Sequence, residues 1–189
     1  FSTGNMPDEW TEGIIYMIPK SDTQCNEISK WRPITLLNDI YKIVAKTIAN
    51  RMRPLLPSII HDTQSGFLQD RSIFDNIFLF WEMIALAQHH KQSLAILLLD
   101  FEKAYDKVDW DFLEAVLSRL GFPSAWIKGV SALYRHASSS VLFSGGNGTL
   151  FPISRSVRQG CPLAPFLFIL FWEALLAFLI SSRCPIGFS

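Results

Sequence analysis

The apolar and polar positions of this chain change period several times, and each change marks an element. Glu12 to Ile18, EGIIYMI, is a short branched and aromatic run that reads as a strand, closed by Pro19 and Lys20. A polar stretch follows from Ser21 to Lys30, and Trp31 to Leu37 returns to extended character. Together they predict a two-stranded flap with a loop at its tip and basic residues on both sides. The period then turns helical, with Ile40, Ile43, Val44, Ile48 and Met52 on one face, Asn38 or Asp39 capping the start, and Pro54 and Pro57 bringing the end. Ile60 to Arg71 is polar and turn-rich, a surface connection to a second helix over Ser72 to His90 with Ile73, Ile77, Phe80, Trp81 and Ile84 on one face.

Leu94 to Leu99 is a compact apolar run that reads as a buried strand, and Asp100 follows it directly. Beyond it Asp109 or Asp111 opens a helix through Leu120 that Gly121 stops, and Pro123 with Ser124 restarts a helix to about His136. Ser138 to Phe143 is a strand candidate, Ser144 to Gly148 a hairpin turn, and Thr149 to Ile153 the return strand. Pro162 to Ile180 is a long apolar segment that reads as a buried helix. It is as long as a minimal membrane span, but Pro162, Pro165 and Glu173 stand against spanning. The order predicts an α+β fold with mixed connections and no regular βαβ repeat.

Composition sharpens this picture only in places. The chain of 189 residues is 49% hydrophobic and 18% charged, which is greasy for a domain of its size and predicts a piece of a longer chain whose covering partners lie elsewhere. Lys+Arg 17 balances Asp+Glu 17, so bulk charge decides nothing about a nucleic-acid partner. Cys25, Cys161 and Cys184 are far apart, and with His61, His89, His90 and His136 they form no zinc spacing and no disulfide framework. No secretory leader is visible from Phe1 to Trp10, so the expectation is a chain that is neither secreted nor membrane-bound.

Two places carry candidate chemistry. Asp100 stands at the end of a strand, with Glu102, Lys103, Asp106 and Asp109 close behind, and a carboxylate there suits a hard cation such as magnesium. It suits equally an N-cap or an ion pair with Lys103 or Lys107. Tyr105 can pack under the core or serve as a plate beneath a sugar or base. The second place is Ser154 to Pro162, SRSVRQGCP, where two arginines precede Gln159 and Gly160 at the start of the greasy helix. Glutamine offers donor and acceptor, glycine lets backbone approach a ligand, and arginine grips phosphate. Lys20 and Arg32 flank the flap loop and gain meaning only if that loop folds over a polyphosphate.

IPK at Ile18, WRPITLLN at Trp31, YKIVAKTIANRM at Tyr41, QSGFLQDRSIFDNI at Gln64, LLLDFEKAYDKVDWDFL at Leu97 and RQGCPLAPFLF at Arg158 occur in this order over nearly the whole chain. Taken together, the sequence resembles the reverse transcriptase domain of plant non-LTR retrotransposons of the LINE type. The resemblance implies a right-hand polymerase fold, with fingers over 1–93 and a partial palm over 94–189, truncated before the Asp-Asp hairpin of the family. It implies RNA-directed DNA synthesis at a 3′ hydroxyl with two magnesium ions, and as partners an RNA template, a DNA primer, deoxynucleoside triphosphates and the remaining palm and thumb of a parent chain. Asp100 matches the first catalytic aspartate, with the carbonyl of Phe101 as a further metal contact. Tyr105 matches the gate against a ribose 2′ hydroxyl, Gln159 and Gly160 the nucleotide-binding turn, and Lys20 and Arg32 the finger contacts to the triphosphate. No adjacent Asp-Asp pair exists here, and no Asp follows Asp111. The expectation is therefore a chain that does not polymerise alone. The alternatives are a nucleic-acid-binding remnant, which needs Lys42, Lys46, Arg51, Arg53, Arg155 and Arg158 on one surface, and a degraded product that aggregates through its exposed apolar helix.

Overall fold

The computed structural model describes residues 6–20, 27–143 and 146–181. The flap is real and is the seed of the sheet. After a single helical turn α1 (Asp8–Thr11), β1 (Glu12–Pro19) pairs antiparallel with β2 (Trp31–Leu37), from Gly13 opposite Leu37 to Pro19 opposite Trp31. Pro19 has no amide to continue the ladder, and the Lys20 amide, donating to the Lys30 carbonyl at 2.9 Å, closes it. Residues 21–26 of the expected loop lie outside the described residues, and Ile28–Lys30 forms one 3-10 turn.

β1 also pairs in parallel with β3 (Ser138–Phe143), Glu12 opposite Ser138 and Ile15 opposite Val141. A parallel pair needs a long crossover, and the helical stretch between the two strands supplies it. β3 in turn takes β4 (Gly146–Asn147) and β5 (Phe151–Pro152), both antiparallel. The expected return strand Thr149 to Ile153 shrinks to its middle, because Pro152 brings no amide to the ladder; Ser144 and Gly145 of the expected turn lie outside the described residues. One sheet thus draws strands from both sides of position 93.

Local signals set the helix starts. α2 (Asp39–Met52) is capped by the Asn38 side chain, which accepts the Ile40 amide at 2.9 Å. After the short α3 (Leu56–Ile59), α4 (Ile73–His89) opens on a reciprocal box between Ser72 and Asp75. α5 (Trp110–Arg119) is capped by Asp109, which accepts the Phe112 amide at 2.9 Å. α6 (Ser124–Ser131) stops five residues short of the expected His136. Ala132, Leu133 and Tyr134 are all buried, which a helix with one face on solvent cannot achieve. α7 (Ala164–Ser181) is the greasy helix, and among the described residues no helix is long and apolar enough to cross a membrane. Its carboxylate at Glu173 accepts the His61 amide at 3.2 Å, so the mid-helix charge anchors a loop. The core gathers Leu163, just before α7, and Leu167 and Leu170 of α7 against Tyr41 and Met52 of α2, Leu113 and Leu117 of α5, and Leu133. Full burial of α7 is corrected, since the helix is half-buried from Phe171 onward and Phe178 is exposed.

The larger correction concerns Leu94 to Leu99. It joins no strand ladder among the described residues and lies exposed, with Leu97 at 79% and Leu98 at 83%. A strand is stable only when its amides and carbonyls find a neighbouring strand, and the composition of one segment cannot provide that neighbour. The apolar face of α4 shares this condition: Ile73, Phe74, Phe78 and Trp81 are exposed and only Ala87 is buried.

Leu98→Ala is therefore expected to change unfolding stability in urea by no more than about 0.5 kcal/mol, whereas Leu167→Ala, at a fully buried site, costs about 2–5 kcal/mol. A large loss at Leu98 contradicts the exposed arrangement.

Candidate functional site

The segment that carries Asp100 is held by rings. Phe101 meets Trp172 edge-on at 4.8 Å, Tyr105 stacks on Phe168 at 4.8 Å with 17° between planes, and Phe112 meets Phe171 at 5.1 Å. Positions 168, 171 and 172 fall on one face of α7, so a single helix face grips the whole stretch. Lys103 adopts a left-handed backbone (φ 50°) at the turn before a short 3-10 helix, Ala104–Lys107.

The other flank is backbone. The Val157 amide donates to the Tyr105 carbonyl at 3.0 Å and the Ser156 amide to the Val108 carbonyl at 2.9 Å. The Trp110 indole N–H adds a bond to the Ser156 carbonyl at 2.9 Å. The chain then turns at Gln159, whose carbonyl accepts the Thr35 amide of β2 at 3.0 Å. Gly160 has φ 109°, and a Cβ there would stand 2.6 Å from the Thr35 carbonyl oxygen. Only glycine fits a backbone this close, in a region side chains avoid.

Between these parts lies a cavity of about 230 Å³, bordered by Thr35, Asp106, Arg155, Ser156, Arg158 and Gln159. Arg155 and Arg158 outnumber the one carboxyl among the lining residues, so the charge around the cavity leans positive and favours anions, although Arg158 is itself buried. Burial raises the carboxyl of Asp106 above its ordinary value, and the ammonium of Lys103 only partly opposes this. Burial likewise raises the Tyr105 phenol. A wider groove of about 580 Å³ runs past Tyr16, Met17, Trp31 and Phe143, with no acid, base or thiol among its lining residues.

The network bonds the Tyr105 carbonyl to the Val157 amide, two residues before Gln159; Gln159 borders the cavity, whereas Tyr105 and Gly160 are not among its lining residues. Asp100 is exposed and makes no ion pair with Lys103 or Lys107, and it caps no helix. Lys20 stays at the flap tip, its ammonium donating to the Ser29 carbonyl at 2.9 Å. Arg32 alternates to the face of β2 opposite Pro33 and Thr35, the two β2 residues that border the cavity. The basic cluster expected of a nucleic-acid surface loses Arg158, which is buried, and Arg53 lies over the Phe166 ring at 5.5 Å. Sequence reasoning noted Asp106 without giving it a role, and it missed Thr35 and the burial of Arg158. Only the first left a signal, in its dense charged surroundings. Cys161 is a buried free thiol, and Cys25 and Cys184 lie outside the described residues.

The family model described as reverse transcriptase (RNA-dependent DNA polymerase) matches residues 18–186. The chain belongs to the reverse transcriptase family. It is 35% identical over 179 residues, 95% of its length, to an uncharacterised 149 kDa protein of transposon TX1 from Xenopus laevis, of which it spans 14%. It is 27% identical over 180 residues to a retrovirus-related Pol polyprotein from the type-1 retrotransposable element R2 of Popillia japonica, covering 95% of this chain and 25% of that protein. It is 26% identical over 170 residues to the RNA-directed DNA polymerase from mobile element jockey of Drosophila melanogaster, covering 89% of this chain and 18% of that one. The chain thus spans a quarter or less of these relatives, and its α+β architecture agrees with the fingers and partial palm of a reverse transcriptase domain.

Reverse transcriptases generally use divalent metal. Among the described residues no group of three His, Cys, Asp or Glu side chains is placed to hold an ion. A centre of two ions about 3.5–4 Å apart needs ligands from opposing sides, and the contribution expected of Asp100 and the Phe101 carbonyl is not joined by such a set among the described residues. The residues present do not make a two-ion centre.

Gly160→Ala is expected to destabilise the chain by about 1–3 kcal/mol in urea unfolding, while Gly66→Ala, where a Cβ meets nothing within 4 Å, stays near zero. Equal effects contradict the close approach of Gly160 to β2. Asp106 gives a pH test. A carboxyl raised in the folded chain contributes stability that is full below its unfolded value of about 3.9 and is lost as pH rises through the raised native value. Asp106→Asn is therefore expected to flatten the fall of stability from about pH 4 upward. An unchanged or steeper fall contradicts the burial of the carboxyl.

Proposed function

We propose that this chain supplies the fingers, residues 1–93, and the first half of the palm, residues 94–189, of the RNA-directed DNA polymerase of a non-LTR retrotransposon. The observation that carries the reading is the backbone junction of Tyr105–Val108 with Ser156–Val157, hooked onto β2 through Gln159, beside a cavity that favours anions. A match to the family over residues 18–186 supports it. The plant LINE assignment rests on the sequence motifs alone.

In this reading a deoxynucleoside triphosphate enters the cavity between the flap and the palm. The Gln159 side chain supplies donor and acceptor to the nucleotide, and Arg155 offsets phosphate charge. Tyr105, fixed against Phe168, limits room at the 2′ position of the sugar. Lys20 and Arg32 reach the triphosphate only if the flap bends over the palm. With the RNA template selecting the nucleotide, the primer 3′ hydroxyl loses its proton to solvent and attacks the α-phosphorus, a phosphodiester forms, the bond to the β-phosphate breaks and pyrophosphate leaves. Magnesium belongs to a polymerase in which other carboxylates join Asp100, since this sequence has no Asp beyond Asp111. The chain by itself does not polymerise.

The purified 189-residue chain, given template-primer, deoxynucleotides and magnesium, is expected to yield no primer extension; extended product overturns the account of an incomplete site. In a longer polymerase that carries this segment and extends primers, Asp100→Ala is expected to abolish extension and leave template affinity largely intact. Retained extension moves the role to another carboxylate.

A further inference from the structure

Arg158 is 2% exposed, yet no carboxylate reaches it among the described residues. Its Nη2 donates to the Ser138 carbonyl at a long 3.4 Å, and its guanidinium carbon lies 5.6 Å from the centre of the Tyr41 ring. Among the described residues Nε and Nη1 have no hydrogen-bond partner, and the buried hydroxyls of Ser139 and Tyr41 are also without one. The chamber exists because Gly13 lacks a side chain. A Cβ there would lie 2.5 Å from the Thr35 methyl, 3.2 Å from Ser139 Oγ and 3.5 Å from Arg158 Nη1.

This is a costly way to fill a core. A cation taken from water without a paired anion loses several kcal/mol, and a hydrocarbon of similar volume does not. Burial also presses the guanidinium below its ordinary value, with the Tyr41 phenol opposing. A planar fork can touch the Tyr41 ring of α2 and the Ser138 carbonyl of β3 at once, which no apolar side chain does. The next residue in the chain is Gln159, whose carbonyl takes the Thr35 amide, and then Gly160, pressed on the Thr35 carbonyl.

We propose that Arg158 is a positioning residue: clamped between the Tyr41 ring and β3, it seats the Gln159–Gly160 turn on the edge of β2 and so sets where the Gln159 side chain stands in the cavity. It acts on a bound nucleotide through Gln159 and not by touching it. The functional half of this statement rests on the proposed reading of Gln159 and Gly160 as the nucleotide turn.

The test uses the 189-residue chain with two readouts, amide hydrogen exchange at Thr35 and the dissociation constant for dGTP. Arg158→Met is expected to speed Thr35 exchange about tenfold, an opening made easier by about 1.4 kcal/mol, while the Ile60 amide, bonded to Leu56, stays unchanged. Arg158→Lys, which keeps charge and loses the fork, gives a smaller acceleration, and Tyr41→Phe, which keeps the ring, gives none. Affinity for dGTP weakens in the same order as exchange accelerates. If Arg158→Met fails to fold, the Arg158→Lys and Tyr41→Phe comparison decides. Unchanged Thr35 exchange overturns the positioning role, and a loss of dGTP affinity without that acceleration shows that Arg158 meets the ligand directly. If the unsubstituted chain binds no dGTP while exchange responds as expected, the nucleotide reading is overturned and the seating of the turn by Arg158 is upheld.

Discussion

An edge strand leaves a row of amides and carbonyls in need of cover, and on β2 the cover is the turn at Gln159 and Gly160. The Thr35 amide is satisfied by the Gln159 carbonyl, and the Thr35 carbonyl is so close to Gly160 that no side chain fits between. This one contact joins the flap to the segment that leads into α7. Because α7 in turn grips Phe101, Tyr105 and Phe112 through ring contacts, the flap, the Asp100 segment and the turn hold their relative places through a single chain of packing. If the contact on β2 loosens, the cavity loses a wall.

The site is built largely of backbone, which explains its tolerance for so few charged partners. Val157 to Tyr105 and Ser156 to Val108 are ladder-like bonds between stretches that belong to no regular strand. They place the half-buried Tyr105 and Asp106 beside the Gln159 turn without spending a side chain on it. Arg158, by contrast, is a charge in the core without an anion, and the Gly13 gap makes room for it. Arg155 and Gln159 border the cavity.

Much of this architecture was legible because its signals are local. Asn38, Ser72 and Asp109 announce their helices by chemistry that acts within three residues, and Pro19 ends its strand for the same reason. The motifs around Asp100 and Gln159 pointed to the family through their order. What failed were statements that depend on a distant partner. Leu94 to Leu99 has the composition of a buried strand, but pairing is a property of two segments and no second one is beside it among the described residues. The stripe on α4 has the right period, yet among the described residues Ile73, Ile77 and Trp81 stay exposed and only Phe80 and Ile84 are half-buried. The enclosure of Arg158 has no local signal, because the Tyr41 ring and the Gly13 gap that enclose it lie far away along the chain.

The central claim is that Tyr105, Asp106 and the Gln159 turn form one seat for a nucleotide, with the flap as its wall. The most direct measurement is a titration of the isotope-labelled 189-residue chain with a deoxynucleoside triphosphate, followed by amide chemical shifts. Saturable shifts concentrated at Thr35, Tyr105, Asp106 and Ser156 to Gly160, with α5 and α6 silent, are the result the account predicts. Shifts confined to the flap tip near Lys20, or spread without saturation over the exposed face of α4, would contradict it.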